Sequence, residues 1–231
     1  MDDRSFFGLL GFDTVESLDV SVFEGADRIH DLNLPIACDL EGRYDVVFNG
    51  GTLEHVFHLP NALRNVHRML RTGGRAIHIA PASNQVDHGF YSFSPTLFHD
   101  YYAANRYEIR SSVLVEFVDW KAPWRVWDYA PGLLERLAGR LEASGILGLF
   151  VIAEKTASST EDVVPQQGLY VSVWNQAAPS PALAIAPRAG WKGVLWRRIP
   201  RAAELLARLR RTIQSYMDLI LPMARPRPRR L

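Results

Sequence analysis

The chain has 231 residues, 48% of them hydrophobic and 22% charged, which suits one domain of ordinary size with an appendage. Its single cysteine, Cys38, excludes an internal disulfide framework and a cysteine-rich metal site, and fits a reducing, cytoplasmic setting. The net charge of +1 hides an uneven spread: residues 188–231 hold 12 Lys/Arg against 2 Asp/Glu, and residues 1–187 hold 14 against 23. An acidic body with a basic tail is expected. The opening MDDRSFF lacks the order of a signal peptide, and no apolar run approaches the roughly 20 residues that span a bilayer.

In chain order, TVESLDVS (14–21) and ADRIHDLN (26–33) predict two strands that end in Asp19 and Asp31. YDVVFNGG (44–51) predicts a third, with an apolar centre at Val46–Phe48, stopped by Gly50 and Gly51. The apolar spacing of residues 59–70 predicts a helix, with Arg68 and Arg71 near its end and Gly73–Gly74 as its stop. A strand over 74–81 follows. Ser94 and Pro95 read as the N-cap and first position of a helix over 94–106. Residues 107–118 predict a strand, 130–143 a helix and 145–156 a strand. Alternation from residue 44 onward predicts an α/β fold with a mostly parallel sheet and helices on both faces.

After residue 157 the pattern fails. Residues 1–156 are expected to form one α/β domain and 157–190 a loop or linker with one short strand at 169–174. Residues 191–231 are expected to form a basic amphipathic helix (199–221) and a disordered end at 224–230. Trp120, Trp124, Trp127 and Tyr129 form an aromatic cluster that either walls a pocket or seals a sheet edge, the second reading being favoured.

Ligands of open parallel sheets bind beyond the carboxyl ends of the strands. Asp19, Asp31 and Asn49 fall there. A carboxylate at Asp19 can accept from vicinal ribose hydroxyls, and Asp31 from an adenine amino group with Leu32 packed on the ring. Gly50 and Gly51 would let a ligand approach the backbone. Taken singly, each aspartate reads equally well as a turn former.

YDVVFNGGTLEHV followed by LPNALRNVHRMLRTGGRAIHIAP closely resembles the central region of class I S-adenosylmethionine-dependent methyltransferases. Thr72 stands where proline is usual. SLDVS resembles that family's second strand with its ribose-binding acid, and ADRIHDLN its third. The resemblance covers about residues 14–155, with 44–81 its most specific part. It implies a Rossmann-like fold, S-adenosylmethionine as cofactor, and Asp19, Asp31, Leu32, Asn49, Gly50, Gly51 and Glu54 as the residues that hold it.

The family's glycine-rich loop, about E/D-x-G-x-G-x-G, is not reproduced in the 18 residues before Asp19; Gly8 and Gly11 do not match it, and SFFGLLGF resembles the helix after that loop. The first strand is therefore expected to be missing or atypical, through truncation or replacement, leaving a gap in the sheet between the family's second and fourth strands.

The resemblance implies methyl transfer to oxygen or nitrogen of a small-molecule, sugar or lipid-linked acceptor. His55 and His88 are the base candidates, against packing roles for both. Residues 80–102 carry either acceptor recognition or a packed aromatic lid. No H-x-H or H-E-x-x-H spacing supports a metal site at His55, Asp87 and His88, and none is expected. The alternative is a non-catalytic, methyltransferase-like scaffold. An NAD-dependent oxidoreductase is disfavoured because no G-x-G-x-x-G follows a strand. The basic tail suggests contact with a membrane surface or an acidic partner, and no nucleic-acid motif is present.

Overall fold

The computed structural model describes residues 3–118, 124–137, 145–177 and 229–230. In chain order these form α1 (Asp3–Leu9), β1 (Leu18–Asp19), β2 (Arg28–Ile29), β3 (Tyr44–Gly50), α2 (Leu59–Met69), β4 (Leu70–Ser83), α3 (Pro95–Ala104), β5 (Glu108–Phe117), β6 (Arg125–Asp128), β7 (Ile146–Glu154), α4 (Gly168–Ala177) and β8 (Arg229–Arg230).

β1 and β2 pair in parallel as a sheet of their own. The main sheet has the order β3-β4-β7-β5-β6-β8. β3 and β4 are parallel, and every later pairing is antiparallel. Traced through these pairings, β3, β4, β5 and β8 run one way, and β7 and β6 the other. The sheet is thus mixed, with most strands running in one direction, in a Rossmann-like α/β arrangement. Where the gap is expected, no strand among the described residues pairs with the outer edge of β3, and β1 and β2 form a separate ladder of two residues each.

Strands β4 and β7 carry the core. In β4, Ala76, His78 and Ala80 are buried on one face, while Ile79 on the other is exposed. Leu149, Val151 and Ala153 of β7 continue the buried face, and α2 and α3 pack on it through Ala62, Leu63, Val66, Phe98 and Tyr102. In β3, Val47 points into this cluster, and the next residue, Phe48, points away to meet Phe7 of α1 edge-on at 5.4 Å. Helices therefore touch both faces. Ser94 caps α3 by accepting the Thr96 N–H at 3.2 Å, with Pro95 at its first position.

Several expectations are corrected. Gly73 and Gly74 do not stop α2; it ends at Met69 and β4 begins at once. Lys155 Nζ donates to the carbonyls of His67 and Leu70 at 2.7 and 2.8 Å and so takes over the helix end. Arg68 and Arg71 pair instead with Glu161 and Asp45. The glycines form a bulge in β4: Tyr44 pairs with Leu70, but Val46 pairs with Arg75. A Cβ at Gly74 would come within 2.9 Å of the Arg71 carbonyl.

Residues 169–174 belong to a helix, not a strand; Tyr170 and Trp174 stack one turn apart at 6.1 Å, and Asp100 Oδ2 accepts the Gly168 N–H at 2.7 Å near its start. The segment before α4 is held to the body, since Asn105 accepts from Val163 and Thr160 and donates to the Val163 carbonyl. Of the predicted helix 130–143, the described part is turn and a short 3-10 helix at Glu135–Leu137; the remainder lies outside the described residues. The helix 199–221, Trp120 and most of the tail also lie outside them. Within the predicted disordered end, Arg229 and Arg230 pair with β6. Trp127 is buried in β6 and Trp124 stacks on Phe117 at 4.9 Å, the sheet-sealing role.

Candidate active site

The site forms where β3 ends. Gly51 has φ +94, a left-handed backbone that a side chain rarely adopts, and it turns the chain sharply out of the strand. A 3-10 turn, Leu53–His55, follows. Asn49 holds this turn: its Oδ1 accepts the N–H groups of Thr52 and Leu53 at 2.9 and 3.0 Å. Its amide nitrogen lies 3.3 Å from His78 Nδ1, and His78 Nε2 lies 2.7 Å from the Tyr102 hydroxyl. Because Asn49 Oδ1 is occupied as an acceptor, its Nδ2 is the donor. His78 Nδ1 is then an acceptor, which places the ring proton on Nε2. Burial alone pushes the His78 pKa down to about 3, so the ring is neutral.

Leu53 drives into the core beside this chain, and Glu54 is carried in with it, 1% exposed. His55 remains exposed. The loop after β4 closes over Glu54. Its carbonyl accepts the N–H groups of Phe90 and Tyr91 at 2.8 and 3.2 Å, and the Tyr91 hydroxyl donates to the Phe57 carbonyl at 2.8 Å. A Cβ on Gly89 would meet the Glu54 carbonyl oxygen at 2.9 Å, so the contact requires glycine. This closure brings His88 Nε2 to 3.4 Å from Glu54 Oε1 and sets the His55 and His88 rings edge-on at 5.1 Å. The 3.4 Å contact is not a hydrogen bond, and neither Glu54 oxygen accepts a hydrogen bond from the described residues.

The predicted cofactor residues occupy two neighbourhoods. Asp19 closes β1, with its Oδ1 accepting the Ser21 N–H at 2.7 Å. Asp31 follows β2, with its Oδ1 accepting the backbone and side-chain N–H groups of Asn33 at 2.9 and 2.7 Å. The Asn33 backbone bond, then its side chain, holds the Asp31 carboxyl below its ordinary range. Both aspartates thus form turns, yet each commits one oxygen, leaving Oδ2 to accept from hydroxyl or amino groups of a ligand. Leu32 packs against the main core, and its carbonyl accepts from Asn61 and Asn65 of α2 at 3.0 and 3.2 Å. Asn33 Oδ1 in turn accepts the His58 N–H at 2.8 Å. These bonds tie the turn after β2 to the start of α2, a few residues beyond Glu54. Gly50 is exposed, and a Cβ there would reach 2.7 Å from the Phe48 ring. Asn49, by contrast, spends its side chain on the turn and on His78.

The donor and acceptor set suits the adenosine part of S-adenosylmethionine, through the free oxygens of Asp19 and Asp31 and the open backbone at Gly51. No glycine-rich loop cradles a methionine moiety among the described residues. The sequence offers His55 and His88 as base candidates of one site, but its spacing does not show that Glu54 meets His88, because the chain between them first runs through α2 and β4. The one local signal is the glycine directly after His88.

The family described as "Methyltransferase domain" matches residues 30–78, which run from the end of β2 through α2 into β4. Among solved structures, that of the antibiotic-resistance methyltransferase Kmr is similar at 20% identity and a TM-score of 0.34, covering 57% of this chain and 62% of that one. The aligned region therefore spans less than two thirds of that structure's length. No curated protein matches. Over the matched span, which folds into a strand–turn–helix–strand unit, the chain is similar to a methyltransferase domain.

Proposed function

We propose that this chain transfers a methyl group from S-adenosylmethionine to an oxygen or nitrogen of a small-molecule, sugar or lipid-linked acceptor at the carboxyl end of β3. The observation that carries this reading is the buried Glu54 with His55 and His88 beside it, directly after the family-matched strand. The cofactor supplies an electrophilic methyl on a sulfonium. Asp19 accepts from the ribose hydroxyls, Asp31 accepts from the adenine amino group, and Leu32 lies beside the ring. Gly51 leaves the backbone open to close approach. Glu54, His55 and His88 face the acceptor and take the proton its nucleophile loses, while placement of that nucleophile in line with the methyl supplies much of the rate. Phe57 and Phe90, both exposed and edge-on at 5.6 Å, give the acceptor an apolar rim.

A second reading, a non-catalytic methyltransferase-like scaffold, is favoured by one observation. The outer edge of β3 pairs with no strand among the described residues, so the wall that would face the methionine end is incomplete. Titration calorimetry with S-adenosylmethionine separates the two. Saturable binding that weakens at least tenfold in Asp19→Asn and Asp31→Asn supports the enzyme. Folded protein that gives no heat at millimolar cofactor leaves the scaffold.

A further inference from the structure

Glu54 poses an electrostatic problem that the protein alone leaves unsolved. Its side chain is 1% exposed, and neither carboxylate oxygen receives a hydrogen bond from the described residues. A buried carboxylate in that state is among the least favourable arrangements a fold can hold. Yet the fold secures it from three sides. Gly51 packs against Oε1, where a Cβ would come to 3.3 Å; Leu53 anchors the turn; and the Phe90 and Tyr91 N–H groups clamp the Glu54 carbonyl. The same clamp delivers His88, and His55 stands next in sequence. One carboxylate oxygen and one nitrogen from each ring all lie within 4.8 Å of one another.

We propose that Glu54, His55 and His88 bind a divalent first-row transition-metal ion of the Zn2+ type. Two imidazoles and one carboxylate are a borderline-soft set that suits such an ion, whereas Mg2+ and Ca2+ prefer all-oxygen shells. Ligands about 2.0–2.1 Å from a tetrahedral ion stand about 3.4 Å apart. The His88–Glu54 approach already matches this, and the remaining closure falls to exposed histidine rings that can turn. Three protein ligands leave one position open, and with both rings exposed that position would face solvent.

The site's use rests on the methyl-transfer reading. An acceptor hydroxyl in the open position would lose its proton to solvent more readily when bound to the ion. Its oxygen would then form the bond to the methyl carbon as the carbon–sulfur bond breaks, and the sulfur would leave with that electron pair as a neutral thioether. With the ion bound, solvent would replace Glu54, His55 and His88 as the acceptor of that proton. The binding of the ion does not depend on this use.

The test uses the full chain, stripped with a chelator and titrated with ZnCl2 by calorimetry and with CoCl2 by visible absorption, with neither cofactor nor acceptor present. The expected result is one ion per chain, with Co2+ bands of nitrogen and oxygen ligation. Affinity should fall at least a hundredfold in Glu54→Gln and at least tenfold in His88→Ala. Because His88 is exposed, its variant keeps the fold, and Glu54→Gln keeps the shape of the buried group. The proposal is overturned if no stoichiometric Zn2+ or Co2+ binds, if Mg2+ binds and they do not, or if binding is indifferent to both substitutions. A chain that methylates but binds no ion loses this proposal and keeps the proposed function; one that binds the ion but no cofactor does the reverse.

Discussion

Phe90 donates its backbone N–H to the carbonyl oxygen of Glu54 at 2.8 Å. This bond joins the turn after β3 to the loop after β4, two segments brought together because their strands are parallel neighbours, with Asn49 opposite His78. The acid and the histidine that share the site are thus placed by the register of two strands.

Gly89 makes the clasp possible, and Gly89→Ala is expected to break it. The added Cβ would stand 2.9 Å from a backbone oxygen that a second loop bond also holds. The loop must therefore move and carry His88 away from Glu54. Overpacking of this kind costs about 1–3 kcal/mol. Thermal unfolding is expected to show that loss, and methyl transfer or metal affinity is expected to fall at least tenfold. Unchanged stability and unchanged binding together would show that the clasp is dispensable.

Gly51→Ala tests the turn itself. Its φ of +94 forces any side chain into a strained backbone, at a cost of about 1–3 kcal/mol. The new Cβ would also press on Glu54 Oε1. A melting-temperature drop should appear with a loss of ligand binding. Gly8→Ala is the control, because open space surrounds that position.

Much of this architecture is legible in the sequence, for physical reasons. The turn at Gly50–Gly51, the apolar spacing of α2 and the Ser94–Pro95 cap are local signals, and the structure follows them. What escapes is set by partners distant in the chain. Gly73 and Gly74 look like a helix stop, but Lys155, far along the sequence, caps α2 and frees them to bulge. The segment 169–174 has strand-like composition, but Asp100 and the Tyr170–Trp174 stack make it helical. His55 and His88 carry no metal-like spacing, because the site is assembled across β3 and β4 and not within one element. Asn49 lies where a ligand contact was expected, but its side chain is consumed by the turn that it holds.

The last prediction concerns pH and the buried chain Asn49–His78–Tyr102. The folded His78 takes up a proton only near pH 3, because burial disfavours its charged form. The unfolded chain takes it up near the ordinary value of about 6.5. Between these values the unfolded state holds more protons, so stability falls as pH drops from about 6.5 towards 3, by roughly 1 kcal/mol per pH unit. His67 adds in the same direction; burial, then the Lys155 charge, holds its pKa down to about 4. Carboxylates with lowered pKa values, such as Glu154 and Glu161, lose their contribution only below about pH 4.5. The window from 6.5 to 4.5 therefore belongs to histidines. In that window His78→Asn is expected to unfold at lower denaturant throughout but to lose stability with a visibly shallower slope. A slope identical to that of the unsubstituted chain would show that His78 is protonated in the folded state, and the neutral, Nε2-protonated ring assigned here would be wrong.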